Sequence, residues 1–196
     1  MTTVNFIADQ FAQVYYDEVS GGILDWNAFH NYSGTAKLGL HLGNSTFGLG
    51  TSPDPPKGYA GMQRCFFRVP VSSIPSGAFI TSAILHYKTG DTIFQFPTGS
   101  PKISIGFYNY SASIGVADYY ACMTSTLTTK DNTDTTWQTV TIDPTLVQNG
   151  SMEFVYRDGY FDYLNNTPST GGQWTDLQSL NIIGADQPYL EVTYSL

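Results

Sequence analysis

Arg64-Cys65-Phe66-Phe67-Arg68-Val69-Pro70-Val71-Ser72-Ser73-Ile74-Pro75-Ser76-Gly77-Ala78-Phe79-Ile80-Thr81-Ser82-Ala83-Ile84-Leu85 is the stretch that decides the fold. Its first part, Cys65 to Val69, reads as one strand, and Ala78 to Tyr87 reads as the next. Between them Ile74-Pro75-Ser76-Gly77 is turn chemistry, with proline pre-setting one backbone angle and glycine supplying another that L-residues avoid. Side chains alternate along a strand, so Ala83, Leu85 and Tyr87 point to one face while Ile84 and His86 point to the other.

The same period continues outward. It recurs in Lys102 to Tyr108, Trp137 to Ile142, Met152 to Arg157 and Tyr189 to Tyr194. In the last of these Leu190, Val192 and Tyr194 share a face opposite Tyr189, Glu191 and Thr193. Pro53, Pro55 and Pro56 with Gly58, then Asp143-Pro144 and Asn149-Gly150, mark loops and turns. With no long helical period, no internal repeat and no linker-like segment, the expectation is a single all-β antiparallel domain spanning residues 1–196.

Composition narrows the function classes. The chain has 196 residues, of which 8 are basic and 16 acidic, for a net charge of -8. Scattered basic residues and a negative balance give no footprint for phosphate backbones, so nucleic acid is not an expected partner. No apolar run approaches the roughly 18 residues of a membrane span, and no membrane association is expected. Met1-Thr2-Thr3-Val4-Asn5 carries neither the basic nor the apolar region of a secretory signal. Cys65 and Cys122 are read as buried free thiols rather than as a disulfide or zinc ligands. Only 12% of residues are charged, against roughly 25% in an ordinary domain, while 14 Tyr, 12 Phe and 3 Trp are present. Such a surface suits protein contacts or sugar stacking.

Four segments together resemble the DNRLRE-like family of β-jelly-roll domains, which occurs in surface and adhesion proteins and as single-domain proteins in phage genomes. The central motif is the string from Arg64 to Leu85. Upstream stand Asp25-Trp26 and Gly34. Downstream come Arg157, Asp162, Asn165 and Pro168, with Phe161 where the family has Tyr, and then the ending Gln187-Pro188-Tyr189-Leu190-Glu191-Val192-Thr193-Tyr194. The chain departs from the pattern at Arg68-Val69-Pro70-Val71, where the family has Phe-Asp. The resemblance implies an antiparallel two-sheet jelly-roll sandwich and binding or structural work rather than catalysis.

The candidate ligand-binding residues are Tyr110, Tyr120, Arg157 and Tyr160, expected at an exposed groove or loop-end site as a glycan or interface surface. Trp26, Trp137 and Trp174 are read as core or rim packing, and His86 as an ordinary sheet histidine. Asp158 with Asp162, or Asp17 with Glu18, are the nearest carboxylate pairs in sequence for glycoside hydrolysis, but solvated loop acids are the preferred reading. Oxygen-rich loops around Asp131, Asp134, Asp158 and Asp162 are the weak candidates for a structural Ca2+; none has a specific calcium-loop spacing, so no cofactor is expected.

Together these readings lead to a non-enzymatic phage virion protein, a capsid decoration or a tail or fibre accessory. Its expected partners are a major capsid protein, further copies of itself and a host-surface glycan; the alternative is a carbohydrate-binding module or adhesin domain. A negative net charge places it on the virion exterior, away from packaged DNA. Residues 1–8 are expected to form an N-terminal arm available for strand addition.

Overall fold

The computed structural model describes residues 1–17, 25–35, 37–51, 59–90, 102–110, 113–122, 128–131, 136–147, 150–165, 167 and 176–196. The chain is an all-β sandwich of two antiparallel sheets. The smaller sheet holds β1 (Thr2–Ile7), β12 (Tyr189–Ser195), β6 (Phe79–Lys88) and β9 (Trp137–Ile142), in that order. The larger is built on β5 (Tyr59–Pro70), β10 (Ser151–Asp158), β7 (Lys102–Phe107) and β8 (Thr128–Asp131). To β5 are added β2 (Gln10–Asp17) and β4 (Thr46–Thr51), which carry β3 (Leu38–Leu42) and β11 (Asp176–Ser179) on their far sides.

The topology is that of a jelly roll. With β2, β3, β4 and β11 set aside, the other eight strands run 1-8-3-6 in one sheet and 2-7-4-5 in the other when renumbered along the chain. Their pairs β1 with β12, β5 with β10, β6 with β9 and β7 with β8 are what rolling up a long hairpin produces. The four added strands thicken one side of the roll.

β5 is the spine. Gly61 to Arg68 pairs with β2 along one edge, while the other edge serves β10 through Cys65 to Pro70 and β4 through Tyr59 to Gln63. Cys65, Phe67 and Val69 face the core between the sheets, and Met62, Arg64 and Phe66 face the opposite side. That opposite side is covered too. Trp26 and Phe29 of α1 (Trp26–His30), Tyr119 of α2 (Asp118–Ala121), Tyr110 and Cys122 close over Val14, Tyr16, Phe66 and Val155. The larger sheet therefore separates two cores, which is why the run Cys65-Phe66-Phe67 is buried at both parities.

The core between the sheets is aromatic at its centre. Phe67 stacks on Phe154 with centroids 4.9 Å apart, and Tyr156 packs edge-on against Tyr87 at 5.3 Å. Truncating a buried Phe such as Phe67 costs about 3–5 kcal/mol, because the surroundings cannot collapse into the space. As the alternation predicts, Ala83, Leu85 and Tyr87 of β6 are buried in this core together with Leu190, Val192 and Tyr194 of β12.

Residues 1–8 differ from the expected arm. Thr2 to Ile7 pairs residue for residue with Tyr194 to Tyr189, and the Ala8 N–H donates to the Pro188 carbonyl at 2.9 Å. Phe6 enters the core and fixes the register.

Candidate functional site

Two places concentrate unusual chemistry. The first lies beneath the helical layer. Arg64 projects from β5 with no exposed surface, and its Nε and Nη2 each donate to a carboxylate oxygen of Asp162 at 2.7 Å. Asp162 reaches it from a single π-helical turn, Gly159–Tyr163, that follows β10 directly. The turn brings the carboxylate back to Arg64 of the neighbouring β5, where it is fully buried. The His30 ring nitrogen Nε2 lies 2.6 Å from the Asp162 carbonyl oxygen and 3.3 Å from its carboxylate. Arg64 also donates to the Tyr119 carbonyl, and its guanidinium stacks 3.9 Å from the centre of the Tyr119 ring.

Arg157 and Asp158 complete the group. Arg157 is buried, donates to the Cys122 carbonyl at 3.1 Å and lies over the Tyr163 ring. Burial pulls its guanidinium below the ordinary range. Burial would likewise push the Asp162 carboxyl up, but the Arg64 charge and the bonds from His30 and Arg64 outweigh that and hold it well below the usual carboxylate range. Burial acts to lower Arg64 as well, and Asp162 reverses the sign and raises it.

The arrangement corrects several expectations. Asp158 and Asp162 are not solvated loop acids; they are 1% and 0% exposed, Asp162 held by the Arg64 guanidinium and Asp158 at the end of β10 accepting from the Asp162 N–H. They also form no glycosidase pair, since both Asp162 oxygens are committed to Arg64 and no solvent reaches them. The same commitment removes Asp162 as a calcium ligand. Asp131 ends β8 opposite Lys102, and its side chain lies outside the described residues, as does Asp134 altogether. Among the described residues no three His, Cys, Asp or Glu side chains cluster as metal ligands.

The four predicted binding residues do not converge on one exposed surface. Tyr110 is 3% exposed and packs edge-on against Phe66 in the second core, and Arg157 is sealed. Tyr120 is exposed on α2. Tyr160 sits in the π turn, and its side chain lies outside the described residues. Nothing in the sequence announces the layer over the larger sheet, and so Tyr110 and Arg157 were expected on its surface.

The second place is the open face of the smaller sheet, which sequence reading did not single out. His86 of β6 and Tyr189 of β12 are cross-strand partners whose rings stack 4.4 Å apart and nearly parallel at 7°. Trp137 of β9 meets Tyr189 at 5.4 Å and 66° and remains 39% exposed. Around them the Lys88 ammonium donates to Asp186 at 2.9 Å, and Glu191 lies 3.8 Å from His86. Asp186 also borders an open groove of about 880 Å3 that includes the exposed Leu42 and Ile183. The signal for this face was the alternation itself, which sets Tyr189, His86 and Trp137 on the outward parity of three strands. Trp26, in contrast, is core, and Trp174 lies outside the described residues.

No model of a known protein family matches the chain, and no curated protein matches it in sequence.

Proposed function

We propose that the chain is a non-enzymatic accessory protein of a phage particle, carried on the virion exterior as a decoration or as part of a tail or fibre. The observation that carries this reading is the sealing of its strongest chemistry. Arg64 and Asp162 neutralise one another, and they, Arg157 and Asp158 are all 1% exposed or less, so the groups most suited to catalysis are built into the fold. Among the described residues the exposed apolar side chains include Ile7, Phe79 and Leu146, on a chain only 12% charged. A surface of that kind suits contacts with other protein subunits. The jelly-roll order and the resemblance of the Arg64 to Leu85 string point the same way, although a fold of this type hosts many functions. The net charge of -8 disfavours a seat against packaged DNA. Among the described residues no helix is long and apolar enough to cross a membrane.

The test is co-sedimentation. Virions assembled from the encoding genome are gradient-purified, and the chain is quantified against the major capsid protein. A fixed stoichiometry, with antibody access to intact particles, is the expected result. A chain absent from particles, and monomeric in solution, overturns the proposal.

A further inference from the structure

We propose that the open face of the smaller sheet, centred on Trp137, is a carbohydrate-binding platform for neutral pyranose chains. This goes beyond an accessory role on a particle and does not depend on it. The rings come first. Tyr189 is fixed from one side by the parallel His86 ring and meets the Trp137 indole edge-on, so the indole is braced while 39% of it stays open. A braced aromatic surface loses little conformational freedom when the apolar C–H face of a sugar ring stacks on it.

Polar groups stand beside the rings at a sugar's own scale. Lys88 is the cross-strand partner of Trp137, Thr139 of His86, and Glu191 of Ile84, while Asp186 is held by Lys88. Side chains that accept and donate next to an apolar ring are what a pyranose requires, since its hydroxyls fringe an apolar face. The same interleaving argues against a protein partner. The centre of a protein interface is depleted of charge, and covering Lys88, Asp186 and Glu191 with apolar side chains would strip water from them without replacing its hydrogen bonds. Sugar hydroxyls replace that water directly. Two carboxylates against one ammonium, on a chain of net charge -8, repel uronic or sialic acid chains, which fixes the ligand as neutral. The groove beside Asp186 continues the surface past Lys88, so a chain of several sugars fits better than a single residue.

The experiment is isothermal titration of the full chain with neutral hexasaccharides of β-1,4-glucose, β-1,4-N-acetylglucosamine, β-1,4-mannose and α-1,4-glucose, and with the anionic hexagalacturonate. At least one neutral chain is expected to bind with a Kd of about 1 mM or tighter. Trp137→Ala should weaken it about tenfold or more, with Trp137→Phe in between. Tyr120→Ala, an exposed ring on α2, should leave it unchanged. Unaltered thermal melting of the variants shows that they fold. Absence of binding by all four neutral chains, binding of hexagalacturonate alone, or indifference to Trp137→Ala each overturns the proposal. If Trp137→Ala instead abolishes particle association and no sugar binds, the face belongs to a protein partner, and the accessory role stands without the glycan site.

Discussion

Arg64 and Asp162, 98 positions apart in the chain, form a two-pronged ion pair in which neither side chain is exposed at all. A buried pair is costly to form and costlier to break, because removing one partner strands the other charge away from water. Asp162→Leu or Arg64→Met alone should therefore destabilise the fold by about 3–5 kcal/mol. The double replacement Arg64→Met with Asp162→Leu should cost clearly less than the sum, since it leaves no orphaned charge. Urea unfolding of the four proteins in a double-mutant cycle measures this. Strict additivity would show that the two groups do not depend on each other.

The same pair sets an acid limit. The folded Asp162 carboxyl lies below its unfolded value, so its contribution is fully present above the ordinary carboxylate value of about 4. It is lost as pH falls from there toward the depressed folded value. Stability measured by denaturant between pH 2 and 7 should fall on the acid side. The gap between the native chain and Asp162→Asn should be widest at neutral pH and should close in acid. A gap independent of pH contradicts the assignment.

The contrast between β6 and β5 shows how far the sequence is legible. Along β6 and β12 one face meets the core and the other meets solvent, and alternation reads both strands correctly. Along β5 both faces are covered, so parity carries no orientation and Arg64 looks like a surface residue. Asp162 was unreadable for another reason: its place depends on a π turn that no local pattern signals. Alternation sets Tyr189 and His86 opposite the core-facing residues of their strands while Trp137 reads as core or rim packing, and the contact among the three arises from the register of strands distant in sequence. Among the motif residues Arg64 and Asp162 pair in a buried group that His30 joins, Trp26 packs on the His30 ring, and the exposed Asn165 holds the Trp26 indole N–H at the rim.

Asn165 offers a test of that group from its rim. It is the non-glycine residue with positive φ among those described, at 53°, and its Oδ1 accepts the Trp26 indole N–H at 2.8 Å. Asn165→Gly keeps the backbone easy and loses only the hydrogen bond, for about 1 kcal/mol. Asn165→Ala loses the bond and adds roughly 1 kcal/mol of left-handed strain. Thermal melts should rank native above Gly above Ala. Ala equal to or above Gly contradicts the backbone argument.

Two tyrosines should respond oppositely to loss of the hydroxyl. The Tyr156 hydroxyl is buried with no hydrogen-bond partner among the described residues, and burial pushes that phenol well above its usual range. The Tyr108 hydroxyl donates to Asp118 at 2.7 Å. Tyr156→Phe removes an unpaid desolvation and should be neutral or stabilising by up to about 1 kcal/mol, whereas Tyr108→Phe should destabilise by a similar amount. Chemical denaturation of both variants decides it, and a clear loss for Tyr156→Phe shows that its hydroxyl has a partner.

The cysteines report the two cores separately. Cys65 lies between the sheets and Cys122 under the helical layer, on opposite sides of the larger sheet, and both are free. Burial pushes the Cys122 thiol up to about 11 and Cys65 higher still, so neither presents thiolate near neutrality. Labelling by a thiol reagent at pH 8 must therefore wait for the structure to open. Cys122 follows a four-residue helix and needs only local release of that layer, while Cys65 needs the sheets themselves to part. Cys122 should label faster, with a rate weakly dependent on urea, and Cys65 at the slow, strongly urea-dependent rate of global unfolding. Equal rates with equal urea dependence would mean that the two cores open as one.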